Sequence, residues 1–109
     1  MTRIIIRKSK NGEYKGFTCK GHSGFAARGK DIICASISVL VINTVNSLEE
    51  LAGEDMEVVA DSSVGTIRCC LKKPLSEKGE LLMESMILGL SHIAEQYGEQ
   101  YLTLKFKEV

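Results

Sequence analysis

The sequence predicts an α+β domain in which two helices pack on one face of a mostly antiparallel sheet. Five short segments carry apolar residues at strand-like intervals, and two long segments carry them at helical spacing. Tight-turn signals join neighbouring strands, and strands joined by tight turns run antiparallel. The length of 109 residues fits one compact domain, so residues 1–109 are predicted to form a single unit in the order ββαββαβ.

The first two predicted strands form a hairpin. Residues 2–9 contain an isoleucine run that is typical of a strand, and residues 13–22 form the returning strand. Between them, Asn11-Gly12 is a strong signal for a tight hairpin turn. Residues 23–30 are punctuated by glycine and are predicted to form a loop.

The first helix is predicted to begin with Asp31 as its N-cap and to run to about Ala52, where Gly53 ends it. Many residues of this segment are β-branched, which favours a strand. The segment is too long for one strand and contains no turn signal, so a helix is predicted. Its core-type positions recur at helical spacing: Ile33, Ile37, Leu40, Val41, Thr44, Leu48 and Leu51.

The second half of the chain repeats the pattern of hairpin and helix. Residues 55–61 and 65–72 are predicted to pair as strands around a Ser-Ser-Val-Gly turn. A second helix spans about residues 76–97 and ends at Gly98, and a last alternating strand covers residues 100–107. One stripe of this helix consists of Leu82, Met86, Leu90, Ile93 and Tyr97.

Both predicted helices are apolar on more than one side. A helix that buries only one face against a sheet needs only one apolar stripe. The extra apolar surface therefore predicts a homodimer that is joined through the helices. The residues outside the main stripes are Val39, Ile42, Val45, Leu81, Met83 and Ile87.

Basic and acidic residues number fourteen each, and the resulting net charge of zero implies no strong nonspecific attraction to nucleic acid. The charge is nevertheless unevenly distributed. Residues 1–30 carry eight basic residues and one acid, whereas residues 49–61 carry six acids and no base. The pattern is typical of two solvent-exposed faces of opposite charge. Alternatively, the basic and acidic regions could contact each other in the fold, or the basic region could bind an acidic partner.

The cysteine count and the apolar segments predict a cytoplasmic protein. Four cysteines are few for a disulfide framework, and the first residues return too soon to charge for a signal peptide. The longest apolar stretch, residues 32–45, is broken by polar residues and is shorter than the roughly 20 residues that a membrane span needs.

His22, Asp31 and Cys34 form the candidate catalytic group. Cys34 is expected in the first turn of a helix, where free N–H groups favour a thiolate and can stabilise an oxyanion. His22 lies at the end of a predicted strand, and the intervening loop could bring its imidazole to the thiol as a general base. Asp31 would either orient the imidazole or cap the helix.

Other interpretations of this stretch stay open. Cys34 could be a buried packing residue and His22 a turn residue, which is the common role of an isolated pair. The pattern Gly24-x4-Gly29-Lys30 resembles a phosphate-binding loop, but the next residue is an aspartate where a magnesium-binding Ser or Thr is required.

A zinc site is a further alternative, because Cys19 and His22 have the spacing of metal ligands. Cys69 and Cys70 are adjacent in a predicted strand and would point to opposite faces, so both cannot easily join one site. No metal site is therefore predicted.

The stretch around Cys34 resembles the ribosomal-processing cysteine protease family (Prp, also called YsxB-like). Its string Gly-His…Gly-x-Asp-Ile-x-Cys-Ala is far more specific than a bare Cys–His pair. The whole chain also resembles the family in its length and in the order of its elements. Outside this segment the resemblance is loose. The matching residues are Gly21, His22, Gly24, Ala26, Gly29, Asp31, Ile32, Cys34, Ala35, Ser38, Asn43 and Asn46.

The resemblance implies a cysteine endopeptidase with Cys34 as nucleophile and His22 as general base and acid. It leaves Asp31 as an orienter or helix cap, and it implies that Gly24 and Gly29 are hinges of a loop that admits the substrate. The implied substrate is the precursor of a large-subunit ribosomal protein (number twenty-seven), whose short N-terminal extension is removed.

The resemblance also implies a homodimer, and a reaction that requires neither cofactor, nucleic acid nor membrane. The alternative function is a noncatalytic, ribosome-associated binding module. It rests on the basic N-terminal region and the apolar helices, and it predicts binding without turnover of any peptide.

Overall fold

The structure, a computed structural model, describes residues 1–21, 30–61, 63 and 65–109. The element order ββαββαβ is confirmed, and each element lies within about two residues of its predicted bounds. The elements are β1 (Thr2–Lys8), β2 (Tyr14–Lys20), α1 (Lys30–Glu50), β3 (Met56–Asp61), β4 (Thr66–Leu71), α2 (Glu77–Tyr97) and β5 (Leu102–Glu108).

The strands of this part of the chain form one sheet in the order β3-β4-β2-β1-β5. The pairings β1–β2, β2–β4 and β3–β4 are antiparallel, and only β1–β5 is parallel. β5 can run parallel to β1 because no tight turn joins these two strands; three strands and both helices lie between them in the sequence. The prediction of a mostly antiparallel sheet is therefore confirmed.

The first hairpin turns where the sequence predicts. The backbone N–H of Ser9 donates to the carbonyl oxygen of Glu13 at 2.8 Å, and the N–H of Gly12 donates to the carbonyl oxygen of Ser9 at 2.9 Å. Gly12 has a φ of 84°, a conformation that glycine adopts without steric cost. The Asn11-Gly12 signal thus fixes how β1 and β2 meet.

A bulge in this hairpin places Tyr14 and Phe17 on the same face of the sheet. The register shifts between Arg7 and Lys8, so that Arg7 pairs with Gly16 and Lys8 pairs with Tyr14. Without the extra residue, positions 14 and 17 would point to opposite faces. Gly16 has a φ of 150°, and a Cβ atom on it would collide with the carbonyl oxygen of Cys69 on β4.

One face of the sheet shares a hydrophobic core with both helices, as the sequence predicts. Alternate residues of the central strands β1 and β2 point into this core, and each helix contributes one stripe. Burying each such side chain stabilises the fold by about 1.5–3 kcal/mol. The buried apolar residues are Ile4, Ile6, Tyr14, Phe17, Cys19, Ile33, Ile37, Val41, Leu48, Cys69, Met83, Met86, Leu90 and Leu102.

Helix α2 begins at a well-defined cap. The Ser76 side chain accepts a hydrogen bond from the Gly79 N–H at 3.2 Å, and the Glu54 carboxylate accepts two from Ser76, from its N–H at 3.0 Å and its hydroxyl at 2.8 Å. The helix ends where Gly98, with a φ of 94°, donates to the Ala94 carbonyl oxygen. The cap therefore ties the segment before β3 to the start of α2.

Helix α1 has apolar residues on two opposite sides. Ile33, Ile37, Val41 and Leu48 are buried in the core, whereas residues a half-turn away are exposed. The stretch Ile32–Glu50 is long and apolar enough to cross a membrane, judged by length and composition alone. Core helices of soluble proteins also meet these two criteria.

Two assignments on α2 were wrong: Met83, predicted outside the main stripe, is buried in the core, and Tyr97, predicted within the stripe, is exposed. The exposed large apolar residues of the described parts of the two helices are Ile32, Val39, Ile42, Leu81, Leu88 and Tyr97.

Candidate active site

Cys34 lies near the start of α1 and is partly exposed. Its flanking residue Ile33 and the next-turn residue Ile37 are buried, so the core fixes this part of the helix. The Ser38 hydroxyl, one turn further on, donates to the carbonyl oxygen of Cys34 at 2.9 Å. The Cys34 thiol is therefore carried on a helix whose inner side is packed into the core.

The start of α1 differs from the predicted start by one residue. The helix begins at Lys30, so Asp31 is its second residue and Cys34 its fifth. In an α-helix, the N–H groups of the N-cap residue and of the first three helical residues have no hydrogen-bond partner within the helix. The N–H of Cys34 is consequently engaged within the helix, and the stabilisation of an oxyanion by N–H groups near this helix start stays a prediction.

The other predicted site residues lie in residues 22–29 or, in the case of Asp31, shortly after them. His22, Gly24 and Gly29 are outside the described residues, as are the phosphate-loop pattern and the side chain of Asp31. The described part ends at Gly21, directly after β2, and resumes at Lys30. The predicted pairing of His22 with Cys34 therefore stays a prediction.

The other three cysteines occupy environments different from that of Cys34. Cys19 and Cys69 are buried in the core, and burial raises the pKa of each thiol to about 11. Near neutral pH both are therefore protonated and unreactive. Cys70 is partly exposed on the sheet face away from the helices, where its sulfur lies 3.9 Å from an Arg7 Nη2.

The zinc alternative gains no support from the described residues. No group of three or more His, Cys, Asp and Glu side chains within them is arranged to hold a metal ion. Cys69 lies on the core face of β4 and Cys70 on the opposite face, as expected for neighbours in a strand.

A partly exposed thiol near a helix start, in an α+β sandwich, is an arrangement suited to an enzyme with a cysteine nucleophile. Comparison with known families identifies the class of enzyme, because a family profile described as "Cysteine protease Prp" matches residues 1–102. The chain belongs to this family and is a cysteine protease. The resemblance seen in the sequence is thus confirmed.

Curated relatives of the chain carry one name. "Ribosomal processing cysteine protease Prp" of Bacillus subtilis is 30% identical over 101 residues, which cover 89% of this chain and 90% of the relative. The protein of the same name from Staphylococcus aureus is 24% identical over 107 residues, which cover 98% of this chain and all of the relative.

Solved structures share the fold. A crystal structure from Streptococcus mutans superposes with a TM-score of 0.89 at 30% identity and covers 100% of this chain and 96% of its own. The S. aureus protease Prp in complex with a covalently linked product peptide superposes with a TM-score of 0.87 at 23% identity, covering 98% of this chain and 100% of its own.

Proposed function

We propose that this protease removes the short N-terminal extension of a large-subunit ribosomal protein (number twenty-seven), using Cys34 as nucleophile and His22 as general base and acid. The observation that carries the proposal is the position of Cys34, a partly exposed thiol held near the start of α1 within the family's motif. Ribosomal proteins are made in the cytoplasm, so the proposed site of action is cytoplasmic.

The proposed reaction has two steps. His22 takes the proton of Cys34, and the thiolate adds to the scissile carbonyl carbon to give a tetrahedral oxyanion. Collapse of this intermediate breaks the C–N bond, leaves a thioester on Cys34, and sends the proton from His22 to the leaving amine. Water, which gives a proton to His22, then attacks the thioester and releases the carboxylic acid and the free thiol.

Three further residues have supporting roles in this proposal. Asp31 either holds the His22 ring in orientation or places negative charge in the first turn of α1, where the helix dipole favours it. Gly24 and Gly29 give the loop before α1 the backbone freedom to admit an extended peptide.

Two properties of relatives support a peptide substrate and a covalent intermediate. The S. aureus protease has been crystallised in complex with a substrate peptide and, separately, with a covalently linked product peptide. The mechanism proposed for this chain likewise passes through a covalent link between the enzyme and the acyl half of the peptide.

A cleavage assay tests the substrate. The purified chain is expected to cut the ribosomal protein precursor at one bond and to leave the body of the protein intact, as read by mass spectrometry of both products. The same ribosomal protein made without its extension is the control and is expected to stay uncut. Binding of the precursor without any turnover would contradict the proposal and favour the noncatalytic binding module.

The protease is also proposed to work as a homodimer through the outer sides of α1 and α2. Val39 and Leu88 are 68% and 59% exposed on the sides of these helices that face away from the core. Uncovered apolar stripes of this kind are typical of protein–protein interfaces. A second copy supplies the same stripes, so the interface is self-complementary.

Sedimentation velocity tests the dimer. The wild-type chain is expected to sediment as two copies, and Val39→Asp is expected to weaken the dimer by about tenfold or more, because a charge would be buried in the interface. Val59→Asp is the matched control, since Val59 is 55% exposed on β3, away from the helices. A monomeric wild type, or equal effects of both variants, would contradict this interface.

A further inference from the structure

The face of the sheet away from the helices, here called the open face, is strongly basic. It is formed by the outward residues of β5, β1, β2 and β4, which the strand register assigns to one side. In these four strands, every charged side chain on this side is positive. The six basic residues are Arg3, Arg7, Lys20, Arg68, Lys105 and Lys107.

The register places like charges directly opposite each other. Arg3 pairs with Lys20 across β1 and β2, and Arg7 pairs with Lys107 across β1 and β5. Neighbouring strands lie about 4.8 Å apart, and like charges in opposite positions destabilise a sheet. The fold therefore carries electrostatic repulsion on this face, which a bound anion would relieve.

The guanidinium of Arg7 is fixed at the centre of the open face. Its Nη1 donates to the Thr18 hydroxyl at 2.6 Å, and its Nη2 donates to the carbonyl oxygens of Cys69 at 2.8 Å and Phe17 at 3.4 Å. All of these acceptors are neutral. Arg7 is thus partly buried and held in place while its positive charge is not neutralised by these partners.

Few acidic side chains share this side of the sheet. Among the described residues, the ion pair between Lys73 and Asp55 involves no residue of the open face. The nearest acids on the same side of the sheet are Glu57 and Asp61, on the edge strand β3. The net charge of zero therefore hides an uneven distribution of charge, because the basic residues of this side lie on β5, β1, β2 and β4 and the acidic ones lie on the edge strand β3.

The shape of the open face suits phosphate groups and not stacked bases. A shallow cavity of about 330 Å³ has Arg7, Lys20, Arg68 and Lys107 in its wall, together with Ile5, Thr18 and Val109. The outward residues of these four strands include no aromatic side chain on which a base could stack. The recognition chemistry here is charge and hydrogen bonding to anionic oxygens.

We propose that the open face binds the phosphate backbone of RNA without sequence preference. Six cations on a surface four strands wide match a ligand that carries regularly repeated negative charge. The choice of RNA among polyanions rests on the proposed function, because ribosomal proteins act together with RNA. Since α1 lies on the opposite side of the sheet, RNA on the open face leaves Cys34 accessible.

Fluorescence anisotropy with a labelled RNA duplex tests this binding. The wild-type chain is expected to bind at low salt, with log K falling against log salt with a slope of roughly −3 to −5. The double variant Arg68→Glu/Lys107→Glu is expected to bind at least about tenfold more weakly and to reduce the slope by about 2. The double variant Lys73→Glu/Lys78→Glu, with the same change in net charge away from the open face, is expected to bind as the wild type does.

The outcomes separate this inference from the proposed protease function. Equal loss in the two double variants, or no binding of the duplex at about 50 mM salt, would overturn the RNA site whatever the cleavage assay shows. Binding to phosphatidylserine vesicles but not to RNA would overturn it in favour of a membrane surface. RNA binding by a chain that does not cut the precursor would leave the site standing and refute only the substrate.

Discussion

Cys34→Ala is expected to lower precursor cleavage by about 10⁴-fold or more, because loss of a catalytic nucleophile leaves only binding and electrostatic contributions to the rate. The side chain is only partly buried, so its removal leaves the core residues around it in place. The unfolding midpoint in urea should therefore stay close to that of the wild type. The rate is measured as the initial appearance of the shortened ribosomal protein.

Cys70→Ala is the matched control for this change. Cys70 is the other partly exposed cysteine, and it lies on the open face of the sheet. Iodoacetamide inhibition should follow modification of Cys34, because Cys19 and Cys69 are buried and burial raises the pKa of each to about 11. Full activity in the Cys34→Ala variant, or its loss in the Cys70→Ala variant, would refute Cys34 as nucleophile.

Gly16→Ala is expected to destabilise the fold by about 3 kcal/mol. The added Cβ would collide with the Cys69 carbonyl oxygen and would lie 2.8 Å from an Arg7 Nη2, and the φ of 150° disfavours any side chain. Relief requires β2 and β4 to separate at the bulge, where Tyr14 is anchored in the core. Urea unfolding followed by circular dichroism measures the change.

Gly12→Ala separates the cost of backbone conformation from the cost of collision. Gly12 belongs to the same hairpin and has a φ of 84°, but a Cβ atom there would meet nothing within 4 Å. Its substitution should cost about 1 kcal/mol from backbone strain alone. If the two variants were equally stable, the close approach of Gly16 to β4 would not matter for the fold.

The sequence predicted the elements well because their signals are local. The Asn11-Gly12 turn and the Gly98 stop each act within a few residues, and both lie where expected. The Ser76 cap is also local, although it was not predicted from the sequence. The strand order was not predicted, since β5 pairs with β1 across almost the whole chain and no local pattern encodes that contact. The bulge at Gly16 depends on β4 in the same way.

The candidate site was predicted from a motif and not from geometry. Cys34 was identified through the sequence string that it shares with His22 and Asp31, and the structure adds its exposure, its helix and its contact with Ser38. The cationic open face was missed for the opposite reason. The excess of basic residues near the start of the chain was visible, but only the register brings Arg68 and Lys107 beside Arg7.

The parallel pairing of β1 with β5 has a consequence for the order in which the protein is synthesised. β1 lies inside the sheet but is translated before the other four strands of that sheet, whereas its partner β5 is translated after them. Until residues 102–108 leave the ribosome, one edge of β1 is unpaired and Leu102 is missing from the core. The nascent chain therefore cannot complete its fold, and so cannot become a fully folded protease, before its last strand has been made.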